Sequence, residues 1–135
     1  MQDEQLTHAI IGCAFRVYNE LGFGFIESVY ETALILELTK NCLRTETQEP
    51  VKVYYDTVEV GHFVFDIRVA GRVLIEVKSV RTLHSVHEKQ LINYLSATGH
   101  ELGLLINFGP SEVEVRRKYR DLRHLRSDFP SPNPF

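Results

Sequence analysis

The chain predicts an α/β domain with a mixed central sheet flanked by helices. Three observations point to it. Two stretches with apolar residues at helical spacing open the chain, alternating stretches follow, and a nearly continuous apolar run, Leu102 to Phe108, comes after one more helix. Such a run reads as a strand buried on both faces; reached through a crossover helix, it lies parallel to a neighbour. Helices, strands, then helix and strand is an α/β order. A length of 135 residues bounds one domain with a moderate core. We place that domain at residues 1–128 and a Pro-rich tail at 129–135, with no internal repeat or interdomain linker.

In the first stretch Leu6, Ala9, Ile10, Cys13, Ala14, Val17 and Leu21 repeat at helical spacing, so a helix is expected from Asp3 to Leu21, ending at Gly22 and Gly24. A second helix is expected from Glu27 to Asn41, burying Val29, Tyr30, Ala33, Leu34, Leu36 and Leu38. Pro50 to Tyr55 alternates and begins the sheet, with Asp56-Thr57 as the turn to the next strand.

The pattern is most specific between His62 and Lys78. Phe63, Phe65, Ile67 and Val69 share one face of an expected strand, opposite His62, Asp66 and Arg68, with Val64 the one apolar residue on the polar side. In the next strand Val73, Ile75 and Val77 face one way, and Arg72, Leu74, Glu76 and Lys78 the other. The short Ala70-Gly71-Arg72 link, with a glycine for positive φ, predicts an antiparallel hairpin. One shared core requires Val69 opposite Val73 and Ile67 opposite Ile75, which sets Asp66 against Glu76.

Opposed carboxylates repel by roughly 0.2–1 kcal/mol, and by more when desolvated. A positive group is expected between them. Lys78 on the same face supplies one charge, and a divalent cation would supply two. Two carboxylates with waters and a phosphate form an oxygen set that suits Mg²⁺, which points to metal-assisted hydrolysis. The plain alternative is a solvated face, because 24% of the residues are charged and E-x-K on a strand is common.

A third helix is expected from Leu83 to Thr98, packed through Val86, Leu91 and Leu95 and stopped by Gly99. Gln90 and Tyr94, four apart, lie on one face, where an amide and a phenol suit a phosphate or an attacking water. The alternative makes Tyr94 a core-edge aromatic. His84 and His87 share a face, but H-x-x-H-E matches no zinc-protease pattern, so they read as helix-start residues.

Net charge is −3, so any nucleic-acid contact must come from local basic patches. Arg68, Arg72, Lys78, Arg81 and Lys89 are candidates near the site. Glu112 to Lys118 reads as an edge strand, and Arg116, Arg117, Lys118, Arg120, Arg123, His124 and Arg126 form a basic block suited to phosphates or, alternatively, to a solvated segment. Cys13 and Cys42 make no disulfide framework and are expected as buried thiols. With no leader and no apolar stretch long enough for a bilayer, a soluble cytoplasmic protein with no membrane partner is expected.

Asp66, then Glu76-x-Lys78, then Gln90-x-x-x-Tyr94 resembles the PD-(D/E)xK nuclease superfamily, in its subgroup of exonucleases with a Q-x-x-x-Y helix. Gly24-Phe25-Ile26-Glu27-Ser28-Val29-Tyr30 is similar to the signature of the small GxxExxY proteins of that superfamily, and Leu102 to Gly109 has their look. The resemblance spans about Leu6 to Gly109. It implies a restriction-endonuclease-like core, ααβββαβ in order, with a C-terminal extension. It also implies that Asp66, Glu76, the Val77 carbonyl and, often through water, Glu27 hold Mg²⁺ or a substituting Mn²⁺. Lys78 would be the catalytic lysine, and Gln90 and Tyr94 would contact DNA or the scissile phosphate. Glu27 has a structural alternative, since a first-turn acid gains about 0.3–1 kcal/mol from the helix macrodipole. The expected function is a divalent-metal-dependent nuclease acting on DNA, with a homodimer or partner protein implied by resemblance alone. The competing class is a catalytically silent nucleic-acid or protein-binding module on the same fold.

Overall fold

A computed structural model describes residues 3–120. The tail at 129–135 and Arg123, His124 and Arg126 of the basic block lie outside the described residues. Among the described residues the elements run α1 (Asp3–Leu21), α2 (Glu27–Lys40), β1 (Thr45–Thr47), β2 (Pro50–Tyr55), β3 (Val58–Val64), β4 (Ile67–Val69), β5 (Val73–Lys78), α3 (Ser85–Thr98), β6 (Leu102–Phe108) and β7 (Val113–Tyr119). The main sheet has the order β1-β4-β5-β6-β7, and β2 and β3 form a separate two-stranded sheet.

The main sheet is mixed. β5 and β6 are parallel and joined through α3, while β4 pairs with β5, and β6 with β7, antiparallel. Alternation along β5 sends Val73, Ile75 and Val77 into a core with α1 and α2, where Leu6, Ile10, Leu34 and Leu38 meet them. Leu74 goes to the opposite face and joins Phe65, Leu91, Leu95 and Leu105 beneath α3. All of β6 is buried, as its apolar run predicts. Gly103 lets α3 approach closely, because a Cβ there would lie 2.9 Å from Leu91 Cδ1.

The expected hairpin register holds, with Ile67 opposite Ile75 and Val69 opposite Val73. Ala70 and Gly71 both take positive φ, at 53° and 67°, and Arg72 N–H closes the turn on the Val69 carbonyl at 3.0 Å. The strand leading into it is not continuous. The chain bends at Phe65–Asp66, so residues through Val64 belong to the β2–β3 arm and those from Ile67 to the main sheet. The strands expected between Pro50 and Lys78 are therefore split between two sheets. Phe65 turns to the α3 side, away from Ile67 and Val69, and Phe63 stacks on Tyr94 with ring centroids 3.9 Å apart. Side-chain bonding accounts for the bend: Asp66 uses its carboxylate and its N–H on β5 side-chain and backbone groups instead of continuing the ladder.

Smaller departures have equally local causes. The buried stripe of α2 is narrow, Tyr30, Leu34 and Leu38, so Leu36 stands 60% exposed two residues off it. Val86 lies in the first turn of α3, ahead of the packed Leu91 and Leu95, and is 65% exposed. Cys13 is the buried thiol expected, whereas Cys42, just beyond α2, is exposed. No helix among the described residues is long and apolar enough to cross a membrane.

Candidate active site

Asp66 and Glu76 are cross-linked through each other's backbone. Val77 N–H donates to Asp66 Oδ2 at 2.8 Å, and Asp66 N–H donates to Glu76 Oε1 across a longer 3.3 Å contact. The bend places Asp66 beside the C-terminal end of β5, so the two acids share one face although Asp66 lies just outside the ladder. Glu76 is 7% exposed. Burial above all, then the neighbouring Asp66 carboxylate, pushes its pKa up to about 8. Burial raises Asp66 too, against the Val77 N–H and the Lys78 charge, which favour its ionised form.

Lys78 is half-buried at the end of β5, and its charge favours ionisation of both acids. Two residues on, the chain is tied down. Asn107, buried in β6, accepts from Val80 N–H and donates to the Val80 carbonyl, both at 2.9 Å. Sequence reasoning passed over Asn107; its signal was the one polar side chain interrupting the run Leu102 to Phe108.

The α2 side contributes further acids. Glu27 acts electrostatically on Asp66. Glu31, one turn later, was not singled out from the sequence, yet it raises Glu76 and is itself held above its ordinary value by burial and by Asp66. Gln48 Nε2 donates to Glu31 Oε1 at 2.9 Å and fixes it. The available signal was the four-residue spacing from Glu27. Tyr30 has a structural part: its hydroxyl donates to the Gly22 carbonyl and accepts from Phe25 N–H, while its ring stacks on Phe108 at 4.5 Å. Gly24 takes φ 119°, a conformation that favours glycine, so two residues of the G-x-x-E-x-x-Y pattern shape the loop that leads to Glu27.

From α3, Gln90 Nε2 donates to Tyr94 Oη at 2.7 Å. Burial raises the Tyr94 phenol, and Glu76 and Asp66 add to the rise, so this hydroxyl lies within the field of the carboxylates. The sequence-derived set Glu27, Asp66, Glu76, Lys78, Gln90 and Tyr94 is thus one electrostatic neighbourhood. His84 and His87 open α3, with His84 N–H donating to His87 Nδ1 at 3.2 Å. Burial, then Lys78, lowers the His87 pKa.

The basic residues behave differently from expectation. Arg68 is forked onto Glu46 of β1 and Glu49, and Arg72 at the opposite end of β5 pairs with Asp3. Arg116 and Lys118 of β7 share Glu88 of α3 at 3.1 and 2.6 Å, and Arg117 and Arg120 pair with Glu4 and Glu101. Much of the expected basic patch and block is occupied by intramolecular ion pairs.

The donor set fits a hard divalent cation: two adjacent acids, both held above their ordinary pKa, with one ammonium group, Lys78, acting on both among the described residues. No three His, Cys, Asp or Glu side chains among the described residues converge to enclose a metal. Remaining ligands would have to come from backbone, water or phosphate oxygens. The sequence profile of the PD-(D/E)XK nuclease superfamily matches residues 4–118. The chain belongs to this superfamily. Members of the superfamily typically use divalent metals. The crystal structure of SSO0001 is similar in fold, with a TM-score of 0.58 at 20% identity over 70% of this chain. This superfamily chain spans about half, 50%, of that protein's length. No significant match to a curated protein is found.

Proposed function

We propose that this chain is a Mg²⁺-dependent nuclease hydrolysing phosphodiester bonds in DNA. The observation that supports it most is the buried Asp66–Glu76 pair, clamped by reciprocal backbone N–H donation, with Lys78 beside it. Asp66, Glu76 and the Val77 carbonyl would hold the cation, with Glu27 reaching it through water and Mn²⁺ able to substitute. When bound, such a cation supplies Lewis acidity to a phosphoryl oxygen and favours ionisation of a water.

The residues of the chain supply the rest. Lys78 places a positive charge beside the acids, where it would orient the attacking water and stabilise negative charge developing on phosphorus. The Gln90 amide and Tyr94 hydroxyl, held 2.7 Å apart, would hold the phosphate. Loss of the proton from buried Glu76 turns a neutral carboxyl into an anionic ligand, so metal affinity rises with pH. The Gly24-to-Tyr30 loop supports placing the chain among the GxxExxY proteins. Two free cysteines fit a reducing cytoplasm. Cutting both strands of a duplex calls for a second site, hence a homodimer or a partner protein.

Calorimetric titration of Mn²⁺ into wild type and Asp66→Ala, followed by assay on linear, circular and single-stranded DNA and on RNA, tests the proposal. Expected are binding that Asp66→Ala abolishes and cleavage of DNA. Binding without cleavage of any substrate would establish the second reading, a silent binding module. The pairing of Arg68, Arg116 and Lys118 with acids favours that reading, because it leaves fewer cations for a phosphate backbone.

A further inference from the structure

We propose that the loop before α2 is a docking ledge for an unstacked nucleobase, so the substrate at the neighbouring site is single-stranded DNA or a frayed end. This deepens the nuclease reading and rests on it. Phe25 and Ile26 on this loop are 47% and 72% exposed. Their exposure is built in. The Tyr30 hydroxyl holds the Gly22 carbonyl and Phe25 N–H, and the Tyr30 ring meets Phe25 edge-on at 6.2 Å and 75°.

The ledge is bolted to the site. Ser79, the residue after Lys78, donates its hydroxyl to the Phe25 carbonyl at 2.8 Å, and Glu27 follows Phe25 by two positions. Arg81 adds charge: its guanidinium carbon lies 5.6 Å from the Phe23 ring centroid. Arg81 is exposed and, unlike Arg68, Arg72 and Arg116, enters no ion pair among the described residues. A fixed aromatic–aliphatic surface beside an unpaired guanidinium matches what a single strand presents, a free π-face and a phosphate. In an intact duplex that π-face is covered by neighbouring bases. Charge complementarity and continuity with the carboxylate site therefore favour a nucleobase over an apolar protein segment.

The test is fluorescence anisotropy in Ca²⁺ with a short labelled oligodeoxynucleotide, single-stranded and as its blunt duplex. Wild type is expected to bind the single strand more tightly. Phe25→Ala is expected to weaken single-strand binding roughly 5- to 100-fold, as loss of one stacked base implies. Arg81→Gln is expected to weaken it about 3- to 10-fold. Phe25→Ala should leave duplex binding unchanged, Arg81→Gln should weaken duplex and single-strand binding alike because both carry phosphates, and Phe15→Ala, which removes an aromatic that is 46% exposed on α1, should change neither. If Phe25→Ala melts early, Phe25→Tyr and Phe25→Leu replace it; only the tyrosine should retain tight binding. Equal or tighter duplex binding, or a Phe25→Leu protein that holds the single strand like wild type, overturns the ledge. Cleavage in Mn²⁺ separates the two failures. A wild type that cuts both substrates equally and ignores Phe25 sinks the ledge alone, whereas one that cuts no nucleic acid sinks the nuclease reading beneath it.

Discussion

Two clusters of charge sit on this sheet and obey opposite rules. Around β1, β4 and the β7 edge, opposite charges meet: Arg68 with Glu46 and Glu49, and Glu88 with Arg116 and Lys118. Around the end of β5, like charges meet, since Asp66, Glu76, Glu27 and Glu31 face a single lysine that acts on the pair. The first cluster fastens elements together and lowers the pKa of its Glu88 by hydrogen bonding to Lys118. The second raises the pKa of Asp66, Glu76 and Glu31, and it opposes folding whenever Asp66 and Glu76 are both ionised. On the proposed reading, a charge arrangement that weakens the fold and is nonetheless clamped by backbone N–H groups is kept for the cation it would bind.

The sharpest way to break this contrast is Glu76→Gln. Cleavage should fall by at least about 100-fold, while the melting temperature above pH 7 should hold or rise because a buried repulsion is removed. A variant that loses stability at that pH would place Glu76 among structural acids.

Acidity supplies the next test. Glu76 has a folded pKa of about 8 against an ordinary 4.5, so its contribution to stability is full below pH 4.5 and is lost as pH rises through 8. Stability should therefore decline across that window by up to about 1.4 kcal/mol per pH unit, and Glu76→Gln should flatten the slope. Added Mn²⁺ should raise the melting temperature more at pH 8 than at pH 6. Thermal scans over pH measure all three.

Gly103→Ala probes the platform for both clusters. Its Cβ would lie 2.9 Å from Leu91 Cδ1, so the buried Leu91 side chain, or α3 with it, must shift, at about 1–3 kcal/mol by chemical denaturation, and cleavage falls to the extent that Gln90 and Tyr94 move with it. Glu88→Gln should have the smallest effect. Partly exposed pairs contribute little, so the melting temperature should drop by about 2–4 °C with cleavage near wild type.

Much of this was legible in the residues. Helical spacing located α1 to the residue and α2 to within one, and the apolar pattern set the register Ile67–Ile75, which carries Asp66 to Glu76. The bend at Phe65–Asp66 was not legible, because no glycine or proline marks it and its cause is a long-range bond from Asp66 to Val77 N–H. β1 is only Thr-Glu-Thr and is held by pairing, not by an apolar face. Glu31 and the ion pairs of Arg68, Arg116 and Lys118 were hidden for the same reason, since partners distant in sequence decide them.

The bend has a mechanical meaning. The β2–β3 arm leaves the body through Phe65, and the next residue is the aspartate whose two polar ends are both tethered to β5. The Asp66 tether to β5 and the Phe63–Tyr94 stack together fix the root of the arm, so the carboxylate of the candidate site is also what anchors the arm to the body.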